Sequence, residues 1–194
     1  MLRLAAGVAV FSAFAVLTGC RIGVYTGSLH GRGTVASEGA STTNDASVAA
    51  GAHEIGMDVV SKRFSILSSM GYGTVKVRVR ETETSLTERG DSRELRFGLG
   101  AGVSLWRSNP FRIGIFGAAT KSIIEDDLAQ LSTRYMVGVQ LDVSGTRSDD
   151  FDGVGGSIRL AYVAGSGAVD GMRSLDVGAI LFQIGLWMQF EGPR

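Results

Sequence analysis

The sequence predicts an all-β protein, an antiparallel meander closing into a small barrel of about eight strands, preceded by a signal helix and a flexible tether. Three observations point to it. Apolar residues recur at every second position through most of the chain after Gly51, turn-forming clusters separate these runs, and 28 glycines stand against two prolines. A period of two belongs to strands with unlike faces. Glycine without proline suits kinked β-structure better than proline-rich disorder.

The chain opens with Arg3, an uncharged apolar stretch over residues 4–16, and then Leu17-Thr18-Gly19-Cys20. Positive charge, apolar run and small residues come in the order of a secretory signal. At about 16 residues the apolar run is short for a membrane-spanning helix. Leu17-Thr18-Gly19-Cys20 resembles the lipobox of bacterial lipoproteins at all four positions, and the chain's one cysteine falls at the required place. The resemblance implies cleavage between Gly19 and Cys20, with residues 1–19 removed as a lipoprotein signal peptide. It also implies acylation of Cys20, so that membrane lipid becomes the partner of the mature chain. Acyl chains contribute about 0.8 kcal/mol per buried CH₂, and two or three of them anchor stably. An aspartate after the cysteine would, by the same resemblance, imply inner-membrane retention. Arg21 stands there instead, which favours the outer membrane of the cell envelope.

Residues 20–51 are rich in Gly, Ser, Thr and Ala and read as a tether with a reach of roughly 30 Å. Ile22, Val24 and Thr26 alternate and leave open a short first strand. The barrel domain is then residues 52–194. Its first run alternates Ile55, Met57 and Val59 with Glu54, Gly56 and Asp58. The next sets Val75, Val77 and Val79 against Lys76, Arg78 and Arg80. A third carries Leu95, Phe97, Leu99, Ala101, Val103 and Leu105, and three more follow through Ile113, Val139 and Leu160. Turns are expected at residues 89–92, 108–110, 144–153 and 165–171. Residues 121–131 show helical spacing through Ile123, Ile124, Leu128 and Leu131, and are the one candidate helix.

Two arrangements fit this alternation. In a lipocalin-like barrel tethered in the periplasm, the apolar set points inward to a core or an apolar ligand. In a transmembrane barrel it faces lipid, and Lys76, Arg78, Arg80, Arg96, Arg112 and Arg159 line the interior with Glu54, Asp58, Gln140 and Asp142 as partners. Runs near ten residues and glycines on the polar face favour the second. Phe190 resembles the terminal aromatic of outer-membrane barrels, although four residues follow it. The last run is apolar on both faces, with Val177, Ala179, Leu181 and Trp187 opposite Ile180, Phe182 and Ile184, as a packed interior requires.

Nineteen basic and nineteen acidic residues leave no net field for nucleic acid. The single cysteine excludes an intrachain disulfide and any multi-cysteine metal site. HExxH, CxxC and GxSxG spacings do not occur, so no catalytic residue, metal or cofactor is expected. His30 and His53 read as surface histidines. The acidic groups at residues 125–127 and 149–152 read as solvated loops rather than cation sites. Gly98, Gly100 and Gly102 lack the Lys-Ser/Thr of a phosphate loop and sit in a strand pattern. The basic row at Lys76, Arg78 and Arg80 reads as a strand face balanced by carboxylates. The expected role is a non-enzymatic structural or interaction protein of the envelope.

Overall fold

The computed structural model describes residues 19–37, 43–61, 63–82, 85–124, 129–145, 153–169 and 173–190. They form eight strands: β1 (Gly19–Ser37), β2 (Thr43–Val60), β3 (Phe64–Thr82), β4 (Ser85–Ser108), β5 (Phe111–Ile124), β6 (Ala129–Ser144), β7 (Gly153–Val169) and β8 (Arg173–Phe190). Each pairs antiparallel with the next, and β8 pairs with β1 from Cys20↔Phe190 to Ser37↔Arg173. The ring therefore has no free edge, which is what the meander pattern predicts. The proposed signal residues before Gly19 lie outside the described residues. Gly19 and Cys20 themselves open β1.

Of the tether expected over residues 20–51, residues 20–37 and 43–51 are instead strand, in β1 and the first half of β2, and 38–42 lie outside the described residues. Small polar residues hold a strand here because β1 is laddered on both sides along its length, and because Tyr25, Leu29 and Val35 are buried on its inner face. Composition measures side-chain burial and misses backbone pairing. The alternation of Ile22, Val24 and Thr26 was the usable signal for this strand.

The helix expected over residues 121–131 is also absent from the described part of that segment. Residues 121–124 finish β5 and residues 129–131 begin β6, while 125–128 lie outside the described residues. Helical spacing arose there because the pattern straddles a hairpin, with Ile123 exposed on one strand and Leu131 buried on the other.

The expected turn at residues 89–92 lies within β4. Val77 pairs with Gly90 and Arg78 with Glu88, so Arg89 is an extra residue in the ladder. The Gly-Asp signal marks a bulge, not a reversal. Residues 165–169 likewise belong to β7. Two turn expectations hold: Asn109 and Pro110 join β4 to β5, and β6 ends at Ser144 with β7 beginning at Gly153. Gly153 has φ of 90°, a conformation glycine adopts without steric cost.

The start of β1, the end of β8 and the strand ends joined from β2 to β3, β4 to β5 and β6 to β7 share one rim of the barrel. The other four connections form the opposite, distal rim.

Candidate membrane-facing surface and barrel interior

Strands of 14 to 24 residues exceed the roughly 9–11 that a tilted strand needs to cross a bilayer. The chemistry of the outer surface shows how the surplus is used. On β3 the outward positions run Phe64, Ile66, Ser68, Met70 and Tyr72, then change to Thr74, Lys76, Arg78 and Arg80. On β1 the change falls between Val24 and Thr26, on β2 between Ile55 and His53, and on β8 between Ile180 and Asp176.

Tyr72, Tyr135 and Tyr162 stand exposed at the distal limit of the apolar zone. Phe64, Trp106, Phe111 and Phe190 stand exposed towards the rim that carries the chain ends. Between these aromatic sets, residues 64–72, 135–143 and 154–162 each form a nine-residue crossing. An apolar band flanked by aromatic residues on both sides matches the thickness and the interfacial chemistry of a bilayer.

The inner surface inverts at about the same height. In the half near the chain ends it is polar, and in the distal half Leu29, Val35, Val48, Val75, Val77, Val163, Leu175 and Val177 pack into one apolar cluster. The two arrangements that fit the alternation are thus both present, one above the other. Val139 is 49% exposed and Ile184 48%, whereas Val77 is 0% exposed. The expectation that Val75, Val77 and Val79 face lipid together with Val139 and Ile184 is therefore corrected. Past the tyrosines the outer positions are polar, and burial of the valines is achieved on the inner side instead.

Lys76, Arg78 and Arg80 accordingly do not line the interior. Lys76 stands across from Asp91 and Arg78 from Glu88 in the ladder. Arg96, Arg112 and Arg159 do line it; Arg112 and Arg159 meet the expected partners Glu54, Asp58, Gln140 and Asp142, whereas Arg96 pairs with Glu94 instead. Val177, Ala179, Leu181 and Trp187 face inward, but Ile180, Phe182 and Ile184 opposite them are exposed, so the last run is not covered on both faces as a packed interior would have it.

Arg21 is the centre of the polar interior, fully buried, with Nε and Nη2 donating to Asp58 Oδ2 at 3.1 and 2.7 Å and Nη1 to Asp142 Oδ2 at 3.0 Å. Arg112 donates from Nε to the same Asp142 oxygen at 2.9 Å. The other oxygen of Asp142 accepts from Gln140 Nε2 and Ser157 Oγ, each at 2.7 Å. Arg159 donates to Gln140 Oε1 at 2.8 Å, lies 3.6 Å from Glu54 Oε1, and covers the Tyr25 ring at 3.8 Å from its centroid. Charges this buried persist only where carboxylates and hydrogen bonds surround them.

Glycine makes room for the rings in this network. A Cβ on Gly23 would come within 3.0 Å of the Tyr25 ring, and one on Gly185 would collide with it. Two interior spaces among the described residues are small, about 30 Å³ beside Arg21 and Arg112 and about 20 Å³ beside Thr120 and Arg159.

A second network sits on β4, β5 and β6. Glu94 accepts from Arg96 Nη1 at 2.6 Å, from Ser122 Oγ at 3.1 Å, and from Arg134 Nη2. Glu94, Arg134, Arg21 and Tyr25 were not anticipated as interior residues. Parity was the available signal: Glu94 precedes Arg96 by two positions and Arg134 precedes Met136 by two, so each shares its strand's inward face.

Among the other residues singled out by sequence, His30 is exposed on β1, and His53 is exposed on β2 with Nδ1 3.0 Å from Thr26 Oγ1. Gly98, Gly100 and Gly102 are strand residues of β4. The acidic groups at 125–127 and 149–152 lie outside the described residues. Cys20 lies on the outward parity of β1, between Val59 and Phe190 in the ladders.

A closed eight-stranded meander with an apolar belt outside and a polar network inside defines the outer-membrane type of small β-barrel. One solved structure supports the fold. The chain is similar to the outer membrane protein OprG from Pseudomonas aeruginosa, with a TM-score of 0.55 and 11% identity over 90% of this chain and 97% of that one. Neisserial surface protein A (NspA) matches with a TM-score of 0.47 and 12% identity over 87% of this chain and 97% of that one. Neither a protein-family model nor a curated protein sequence matches the chain.

Proposed function

We propose that the protein is an outer-membrane barrel of a bacterial envelope, with a non-enzymatic structural or interaction role, whose mature chain begins at an acylated Cys20. The observation that carries the membrane reading is the apolar outer band bounded by Tyr72, Tyr135 and Tyr162 on one side and by Phe64, Trp106, Phe111 and Phe190 on the other. The chain ends lie at the periplasmic rim. The opposite rim projects from the outer leaflet as a water-bathed extension with its own apolar core. A soluble protein with this surface would expose far more contiguous apolar area than soluble monomers carry.

Acylation rests on the lipobox and on where Cys20 sits. With Cys20 on the outward face of β1, next to Phe190, a thioether formed there would stand on the lipid side of the wall. Beside it an apolar groove of about 830 Å³ runs past Ile22, Val24, Val154, Leu186, Met188 and Phe190. Acyl chains attached there would lie along the barrel in the inner leaflet, so an anchor and an inserted barrel are compatible in one molecule.

The membrane reading is tested on residues 20–194, since a chain beginning at residue 52 lacks β1. Folding only in detergent or lipid, with a gel mobility that changes on boiling, is expected. A monomer that stays in solution without detergent refutes insertion. For acylation, metabolic labelling with a tagged palmitate should mark the full chain and fail on Cys20→Ser, while heat-modifiable mobility survives the substitution. Equal labelling of both refutes lipidation and leaves the barrel reading standing.

A further inference from the structure

We propose that the outer wall over β6, β7, β8 and β1 binds the sugar head group of an outer-leaflet glycolipid, an inference that rests on the membrane reading of the apolar belt. A groove of about 410 Å³ opens on that wall, lined among others by Tyr135, Ala164, Ser166, Asp176, Gly178 and Thr34. The ladders bring these residues into two adjacent rows. Tyr135 pairs with Ala164 and Ala164 with Gly178; one step distal, Ser166 pairs with Asp176 and Asp176 with Thr34. Tyr135, Ala164, Ser166, Asp176 and Thr34 are all exposed. Ala164 and Gly178 make a floor without bulk. A Cβ on Gly178 would stand 2.7 Å from the Tyr162 hydroxyl, so glycine at that position lets this hydroxyl reach the floor.

Depth decides what the groove meets. Tyr135 and Tyr162 mark the distal limit of the apolar belt, and Ser166, Asp176 and Thr34 follow just past it. That level is the head-group layer, where a tyrosine finds lipid for its ring and water for its hydroxyl. The chemistry then selects the head group. Thr34, Ser166 and Tyr162 offer hydroxyls that both donate and accept, and Asp176 offers a carboxylate that accepts. An aromatic ring at one end, a flat floor and a rim of such groups complement a sugar, which has hydroxyls around its edge and C–H groups on its faces. A carboxylate in the groove works against the phosphate of a phospholipid. Two strand spacings, about 10 Å, separate the strand of Tyr135 from that of Asp176. A ligand that touches both is therefore elongated, as two linked sugar rings are.

The test uses residues 20–194 refolded in lauryldimethylamine oxide, a detergent without sugar. Digalactosyl diacylglycerol and phosphatidylglycerol with the same acyl chains are added in equal amounts, and native mass spectrometry measures which lipid the barrel retains. A several-fold excess of the digalactosyl lipid is expected. Ala164→Leu fills the floor and should abolish that excess, and Asp176→Ala removes an acceptor and should reduce it. Both side chains lie outside the interior networks, and heat-modifiable gel mobility checks that each variant folds. A chain that stays monomeric in solution without detergent sinks the membrane reading, whereas a folded, detergent-bound barrel that retains both lipids equally overturns the sugar groove alone. An unchanged preference in both variants overturns it as well. So does displacement of the glycolipid by an equal concentration of the free disaccharide, which would assign the groove to a soluble sugar.

Discussion

Asp142→Asn should lower the stability of the folded barrel by about 3–5 kcal/mol, the cost of breaking a buried ion pair from one side. Asp142 is the carboxylate on which Arg21 and Arg112 converge, and it also accepts from Gln140 and Ser157. Asparagine keeps the volume and removes the charge. Arg112 and Arg21 both lose their ion pair with Asp142, while the pair of Arg21 with Asp58 remains. Reversible urea unfolding into lipid vesicles, followed by the fluorescence of Trp106 and Trp187, measures the difference. Replacing Arg112 and Asp142 together by leucine should recover much of the loss, because an apolar pair leaves no charge stranded. A loss below about 0.5 kcal/mol for Asp142→Asn would show that the network is not what fills and fixes the inner half.

Val139→Arg should cost about 2–4 kcal/mol in the same measurement, the penalty for a charge near the bilayer midplane on a barrel's lipid face. Val139 is the middle outward residue of the crossing from Tyr135 to Val143. Ser47→Arg, outward-facing on β2 in the distal half, should stay within about 0.5 kcal/mol of wild type. Depth, not side-chain chemistry alone, separates the two sites. Equal effects at both would contradict a membrane boundary between them.

The barrel itself was legible because pairing and alternation are local. Leu95 through Leu105 and Tyr135 through Val143 alternate without interruption, and each turned out to be one strand with the expected parity. What failed was reading composition as order. The glycine and serine of residues 20–37 gave little apolar area to count, yet this stretch is paired on both sides, with β2 and with β8. Bulge and hairpin signals also look alike in one dimension: Gly90-Asp91 and Asn109-Pro110 both resemble turns, and only the second reverses the chain.

The interior network was half visible. Arg96, Arg112, Arg159 and Asp142 could be placed by parity, whereas Arg21 was hidden by its position just after Cys20, where it read as a sorting residue. Its burial on Asp58 and Asp142 depends on β1 closing against β2 and on a contact with β6 across the barrel, contacts 37 and 121 residues apart in the chain.

By itself the sequence determined that the chain forms strands with two unlike faces in a closed meander, because a period of two and the turn residues are properties of neighbouring positions. Which face is inside was decided only by the tertiary structure. The same alternation continues along β3 from Met70 to Arg80, but its meaning reverses past Tyr72, where the wall leaves the zone that the belt marks as lipid. Apolar side chains move to whichever side excludes water, and that side is set by the medium around the closed barrel rather than by any residue's neighbours in the chain.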